Sequence, residues 1–246
     1  MQQKKLKINI AHLYPELLNI YGDWGNILTI KKRCEWRNIE VNIDSINVND
    51  DIKIADYDFY FLGGGQDKQQ VTVSKELQTH RTKLLKAKDD NAVFLGICGG
   101  YQLFGHYYRP YDGEKLEGLG LLDIYTEASG KRFIGNVTAE CSMIEPNTLV
   151  GFENHSGLTY LGNDAQPLAN IIVGKGNNGK DKTEGAKSAN VFGSYLHGPL
   201  LPKNVRFADY LISLMLEKRY KEKIELAVLN DALENISHEK LIAKAY

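Results

Sequence analysis

The apolar run Ala92-Val93-Phe94-Leu95 lies between Asp89-Asp90-Asn91 on one side and Gly96-Ile97-Cys98-Gly99-Gly100-Tyr101-Gln102 on the other. Such a run is too short for a helix of its own and reads as a buried, parallel strand. Glycines two residues before and two after Cys98 have the spacing of a nucleophile elbow, a strained strand-to-helix turn that lifts one side chain off a sheet edge. The amide groups that open the following helix favour a thiolate or an oxyanion there. A cysteine can also be buried simply as a small hydrophobe, but packing alone needs neither glycine. Cys98 is therefore the candidate nucleophile, and the segment points to an α/β sheet.

The surrounding pattern agrees with that choice. Strand-like runs at Leu6 to His12, Val41 to Ile46, Tyr57 to Leu62 and Ala92 to Ile97 alternate with helical periodicity at Asn26 to Asn38 and Ser74 to Lys88, the signature of βαβ units. Beyond the elbow, Gly118 to Asp123, Phe133 to Glu140, Val150 to Asn154 and Ala169 to Val173 read as antiparallel strands. A polar stretch, Gly174 to Ser188, precedes a strand over Ala189 to Tyr195, and helices are expected at Asn204 to Lys221 and Asp231 to Ala245. No internal repeat or long linker interrupts the chain. The expected architecture is α/β, a single domain over residues 1–246 with a mostly parallel central sheet flanked by helices and additional antiparallel strands.

Charge excludes some partners. With 30 basic and 31 acidic residues and a net charge of -1, nothing suggests nucleic acid or an anionic membrane as a ligand. No apolar run approaches membrane length and the start, Met1 to Leu6, does not read as a signal peptide, so a cytoplasmic protein without membrane insertion is expected. Cys34, Cys98 and Cys141 are too few and too scattered for a disulfide framework or a zinc site. No metal site is expected.

A thiol with an ordinary pKa near 8.5 needs a base or a cation beside it. His197, in Ser194-Tyr195-Leu196-His197-Gly198-Pro199, follows an apolar strand and could share a sheet rim with Cys98; a surface histidine capping a loop is the other reading. His155, in Phe152-Glu153-Asn154-His155-Ser156-Gly157, is the rival base. Phe61-Leu62-Gly63-Gly64-Gly65-Gln66-Asp67 ends another buried run with three glycines, which suits an oxyanion hole, a phosphate loop or a plain tight turn. Gly174-Lys175-Gly176-Asn177-Asn178-Gly179-Lys180-Asp181 fits a phosphate loop except at its last position, where Asp181 replaces the hydroxyl residue. No apolar helix follows, and Asn178-Gly179 is a strong hairpin signal, so this segment reads as a hairpin tip and the chain shows no convincing ATP site.

The elbow, the Gly63-Gly64-Gly65 loop and Tyr195-Leu196-His197-Gly198-Pro199 together resemble class I glutamine amidotransferases, in the CobB/CobQ-like (cobyric acid synthase-like) branch. Within it, Leu18-Asn19-Ile20-Tyr21-Gly22-Asp23-Trp24-Gly25-Asn26, Gly118-Leu119-Gly120-Leu121-Leu122-Asp123, Gly151-Phe152-Glu153-Asn154-His155 and Leu196 to Asn204 look like the glutaminase subunits of lipid II isoglutaminyl synthases. The resemblance implies hydrolysis of L-glutamine to glutamate and ammonia. The ammonia would serve a Mur-ligase-like partner, MurT, which amidates the D-glutamate α-carboxyl of lipid II; ATP and magnesium would sit on that partner, with no cofactor on this chain.

It further implies Cys98 as nucleophile, His197 as base, backbone amides of Gly64, Gly65 and Gly99 as oxyanion donors, and Arg132 as the anchor of the substrate carboxylate. Without the resemblance, Arg132 reads as a solvated loop charge beside Lys131. Gln102 and His155 are further candidates for the substrate pocket. Where triad-type members carry a glutamate two residues after the histidine, this chain has Pro199, so a Cys98-His197 dyad is expected. Asp23 is a possible orienting acid, or a helix cap. Two other readings remain: a glutaminase serving another ATP-dependent amidation such as that of cobyrinic acid, whose enzymes carry a fused synthetase domain that this length does not accommodate, and a non-catalytic scaffold, which would not need Cys98, His197 and Arg132.

Overall fold

A computed structural model describes residues 5–50 and 57–245 of the chain; the first four residues of the start that does not read as a signal peptide, Met1 to Lys4, lie outside the described residues. The first half is the expected alternation. It runs β1 (Lys7–Leu13), α1 (Trp24–Glu35), β2 (Glu40–Ile46), β3 (Phe59–Leu62), α2 (Asp67–Asp89), β4 (Val93–Ile97) and α3 (Gly99–Phe104). Two short strands, β5 (Tyr107–Arg109) and β6 (Leu116–Glu117), lead to a long hairpin of β7 (Ile124–Glu140) and β8 (Thr148–Leu161). The chain continues through β9 (Ala169–Val173), β10 (Thr183–Glu184), β11 (Ala186–Ser188) and β12 (Val191–Ser194) to α4 (Leu200–Lys203), α5 (Val205–Tyr220) and α6 (Ala232–Ala245).

One sheet has the order β11-β12-β4-β3-β1-β2. All its neighbouring pairs are parallel except β11 with β12. The buried runs are continuous because both faces are covered. Phe59, Phe61, Val93 and Leu95 pack with Ile27 and Ile30 of α1 and Phe207, Leu211 and Met215 of α5, whereas Tyr60, Leu62 and Phe94 point the other way, onto Val73, Leu77, Leu103 and Phe104 of α2 and α3. The period-2 alternation of the strands thus divides one apolar sequence between two cores.

The second sheet has the order β10-β9-β7-β5-β6 with β8 on β7, and it is antiparallel but for β5 with β7. β8 runs on to Leu161, past the expected end at Asn154, and β5, β6 and β10 are short strands that were not expected; two further departures bear on the site. Gly118 to Asp123 is not a strand: Leu119, Leu121 and Leu122 are buried in irregular chain whose amides at Leu119 and Leu122 bond the carbonyls of Leu103 and Phe104 at the end of α3. The run supplies apolar anchors and satisfies a helix terminus, so it needs no sheet partner. β7 begins at Ile124 rather than near Phe133, which puts Arg132 within a strand, beside a register shift between Ala128 and Phe133. The predicted hairpin tip is a turn with Gly179 at φ +72°, between antiparallel β9 and β10. Asp181 closes it by accepting from Asn178 Nδ2 and from the amide and hydroxyl of Thr183.

Candidate active site

Cys98 links β4 to α3 at φ 52°, ψ -105°, a conformation that costs a side-chain-bearing residue about 1–3 kcal/mol and persists only where packing imposes it. The packing is visible at Gly100, where a Cβ would stand 2.1 Å from the Leu62 carbonyl oxygen. Only glycine lets α3 press against the end of β3, and the Gly100 amide donates to the Gly63 carbonyl at 3.1 Å. The strands β12, β4 and β3 are neighbours, so their carboxyl ends bring His197, Cys98 and the Gly63 to Gly65 loop to one rim, as ligand sites in open α/β sheets require. A Cβ built on Gly64 would lie 3.3 Å from both Cys98 Cβ and His197 Cε1. The two side chains are therefore within twice that distance of each other.

His197 is bolted to the other sheet. Its amide donates to the Phe152 carbonyl at 2.9 Å and its carbonyl accepts from the Phe152 amide at 3.3 Å. The ring is buried and neither nitrogen has a hydrogen-bond partner among the described residues. Burial, reinforced by His155, Lys203 and Arg132, pushes its pKa down to about 3. Burial, with Asp23 next, pushes the half-buried Cys98 thiol up to about 12, opposed by the Gly99 amide and Arg132. The resting pair is a neutral thiol and a neutral imidazole, an arrangement suited to proton transfer during attack rather than to a standing ion pair.

The loop glycines divide their roles. Gly64 donates its amide to Asp23 Oδ2 at 2.7 Å, so this structure removes it from the expected oxyanion donors. Gly99 faces the thiol, and the Gly65 nitrogen lies 3.2 Å from where a Cβ on Gly99 would stand. Asp23 is fully buried, makes no bond to His197 and, though it stands at the N-cap position of α1, makes no side-chain capping bond; Asn19 Oδ1 accepts from the Trp24 amide instead. Asp23 is thus neither the expected orienting acid of the histidine nor the expected helix cap. It holds the glycine loop. Burial raises its carboxyl to about 7 against the pull of the Gly64 amide.

A cavity of about 300 Å³ opens over Cys98 and is lined by Gln102, Arg132, Asn154 and His155 among others. Arg132 is thereby brought to the site from the strand hairpin, and its guanidinium Nε donates to Asn154 Oδ1. Gln102 donates to Tyr195 Oη at 3.2 Å and leaves its buried Oε1 without a partner among the described residues. His155 lies flat on Tyr195 with ring centroids 3.6 Å apart and shares its Nδ1 with the Gly157 carbonyl at 2.8 Å, which makes it a wall of the site. Tyr21, unforeseen from the sequence, crosses the rim and meets the His197 ring edge-on at 4.8 Å. Cys34 and Cys141 are buried away from the cavity, and burial raises both thiols.

A cysteine on a strand-to-helix elbow, with a buried imidazole behind it and an arginine across a small cavity, is the arrangement of an amide-hydrolysing α/β site. Residues 9–205 match the CobB/CobQ-like glutamine amidotransferase domain, and the chain belongs to that family. It is 43% identical over 213 residues, 87% of this chain and 86% of the relative, to the Staphylococcus aureus (strain N315) protein named lipid II isoglutaminyl synthase (glutamine-hydrolyzing) subunit GatD. The protein of that name from Streptococcus pneumoniae (strain ATCC BAA-255 / R6) is 40% identical over 92% of this chain and 87% of its own. A probable cobyric acid synthase of Methanococcus maripaludis is 35% identical, but over 58% of this chain and 30% of its own length. Among solved structures, PurLQS from Thermotoga maritima superposes with a TM-score of 0.58 at 18% identity, covering 89% of this chain and all of that one; this likeness shows the fold. Among the described residues no helix is long and apolar enough to cross a membrane.

Proposed function

We propose that this chain is the glutaminase subunit of a lipid II-amidating complex, acting in the cytoplasm with a Mur-ligase-like partner, MurT. The observation that supports hydrolysis best is the convergence of Cys98, at the end of β4, and Arg132, from the β7-β8 hairpin, on one cavity, with the buried His197 that follows β12 next to Cys98. The match across nearly the full length of both GatD proteins favours lipid II over cobyrinic acid as the destination of the ammonia.

In this reading, the Arg132 guanidinium holds the α-carboxylate of glutamine and the unpartnered Gln102 Oε1 accepts from its α-ammonium. Cys98 Sγ bonds to the side-chain amide carbon while His197 takes the thiol proton. The Gly99 and Gly65 amides stabilise the oxyanion, at about 3 kcal/mol per donor. His197 then returns the proton to the leaving nitrogen, the carbon-nitrogen bond breaks and ammonia departs. Water attacks the thioester and frees glutamate and the thiol. The partner, with ATP and magnesium, activates the D-glutamate α-carboxyl that the ammonia attacks.

Ammonia release from glutamine by the full chain, with and without the partner, tests the proposal. Cys98→Ala and His197→Ala should abolish it, and Arg132→Ala should act chiefly by raising KM. Undiminished release by Cys98→Ala would overturn the mechanism. An active pair that leaves lipid II unamidated would overturn the assigned acceptor.

A further inference from the structure

Tyr21 sits where a tyrosine is not expected. Its backbone is left-handed, at φ 56°, ψ 23°, a region sparsely used by residues other than glycine, asparagine and aspartate. The turn that imposes this is fastened at both ends: the Ile20 amide donates to the Gly64 carbonyl at 3.0 Å, and Asn19 accepts from the first amide of α1 at 2.8 Å. A strained turn tied to the glycine loop at the site warrants a functional explanation.

Its side chain supplies one. The ring lies edge-on against His197, whose nitrogens have no hydrogen bond among the described residues to fix the ring. The Tyr21 hydroxyl accepts from Asn154 Nδ2. Asn154 Oδ1 in turn accepts from Arg132 Nε, and the Asn154 carbonyl lies 3.5 Å from Arg132 Nη2. A continuous chain therefore runs from Arg132 through Asn154 and Tyr21, all three lining the cavity, to the buried His197. Asn154 occupies the side edge of the guanidinium. The opposite end, with Nη1, has no partner among the described residues and is the fork that a carboxylate would meet.

We propose that Tyr21 and Asn154 are positioning residues that hold the His197 ring and the Arg132 fork in register, so that a substrate anchored by its carboxylate presents its amide to Cys98. The proposal rests on the reading of His197 as base and Arg132 as anchor. Tyr21 acts on the base through its ring and on the anchor through its hydroxyl, and these two effects can be separated. Tyr21→Phe keeps the ring and removes the Asn154 bond. Tyr21→Ala removes both.

Steady-state glutamine hydrolysis by the full chain with its partner, at several pH values, distinguishes the roles. Tyr21→Phe and Asn154→Ala should raise KM severalfold with kcat within twofold of the parent. Tyr21→Ala should lower kcat at least tenfold and shift the acid limb of the rate profile to higher pH, because water then reaches His197. Inactivation by a diazoketone analogue of glutamine, which carries the α-carboxylate, should slow in Tyr21→Phe; alkylation of Cys98 by chloroacetamide, which carries none, should not. Tyr21 is 44% exposed, so thermal unfolding should stay close to that of the parent in both Tyr21 variants. Unaltered kcat, KM and pH profile in Tyr21→Ala would overturn the proposal, as would unaltered KM in Asn154→Ala where Arg132→Ala raises it. If Arg132→Ala itself leaves KM unchanged, the anchor reading fails instead.

Discussion

Asp23→Asn isolates the electrostatic cost of the carboxylate that fixes the Gly64 loop. Asp23 is fully buried, with Oδ2 on the Gly64 amide and Oδ1 without a partner among the described residues. Burial raises its pKa from 3.8 to about 7. Between those values the folded protein keeps a proton that the unfolded chain has released, so the contribution of Asp23 to stability is fully present below pH 3.8 and is lost as the pH rises toward 7. Some three pH units of such a difference amount to at most about 4 kcal/mol. Asparagine retains a carbonyl acceptor for the Gly64 amide and cannot ionise. The difference in unfolding free energy, variant minus parent, should therefore grow by about 1.4 kcal/mol per pH unit from pH 4 to 7 and then level off. Urea titrations of both proteins from pH 4 to 8.5 measure it, and subtracting one from the other cancels the buried histidines that also titrate there. A difference that stays flat across this range would refute the argument.

Other buried groups give further tests. With the Cys98 thiol near 12 and His197 near 3, alkylation of Cys98 in the substrate-free protein should accelerate about tenfold per pH unit from 7 to 10, in proportion to the thiolate fraction; a plateau below pH 7 would reveal an ion pair instead. Gly100→Ala places a Cβ 2.1 Å from the Leu62 carbonyl and should cost about 1–3 kcal/mol in urea unfolding, with no loss expected if α3 could shift freely. His12 is buried against Trp24 and Phe61, with both nitrogens unpartnered among the described residues and its pKa lowered by burial to about 4. Its neutral form contributes stability that is present above pH 6.5 and lost as the pH falls toward 4. His12→Phe should gain on the parent across that window, and equal acid sensitivity of the two proteins would argue against it.

What was legible in the sequence was mostly local. A strand buried on both faces leaves an unbroken apolar run, and an elbow leaves glycines at fixed offsets, so β3, β4 and the turn at Cys98 could be read directly. The late strand before His197 was legible for the same reason, and parallel pairing then carried the histidine to the correct rim. The antiparallel sheet was harder. Its hairpin continues through Ser129-Gly130-Lys131-Arg132, where the strands are largely exposed and no apolar alternation marks them, and β6 and β10 are each two residues long. Leu119, Leu121 and Leu122 show the converse error: an apolar run is a statement about burial, not about strand geometry.

The side chains that organise the site were less legible because their partners are distant in sequence. Asp23 stands just before a helix, where the local rule favours a cap, yet its carboxylate reaches the Gly64 amide after β3 and leaves the cap to Asn19. Asn154 lies on β8 and is joined to Tyr21 only because the second sheet folds over the rim of the first. The position of Pro199 carries this one step further. Without a carboxylate there, the His197 imidazole has no hydrogen bond to orient it among the described residues, so its direction is set by the backbone bridge to Phe152 and by the edge of the Tyr21 ring. Orientation by packing leaves no spaced motif to read. It is encoded in a tyrosine at an unfavourable backbone angle, which only the folded chain reveals.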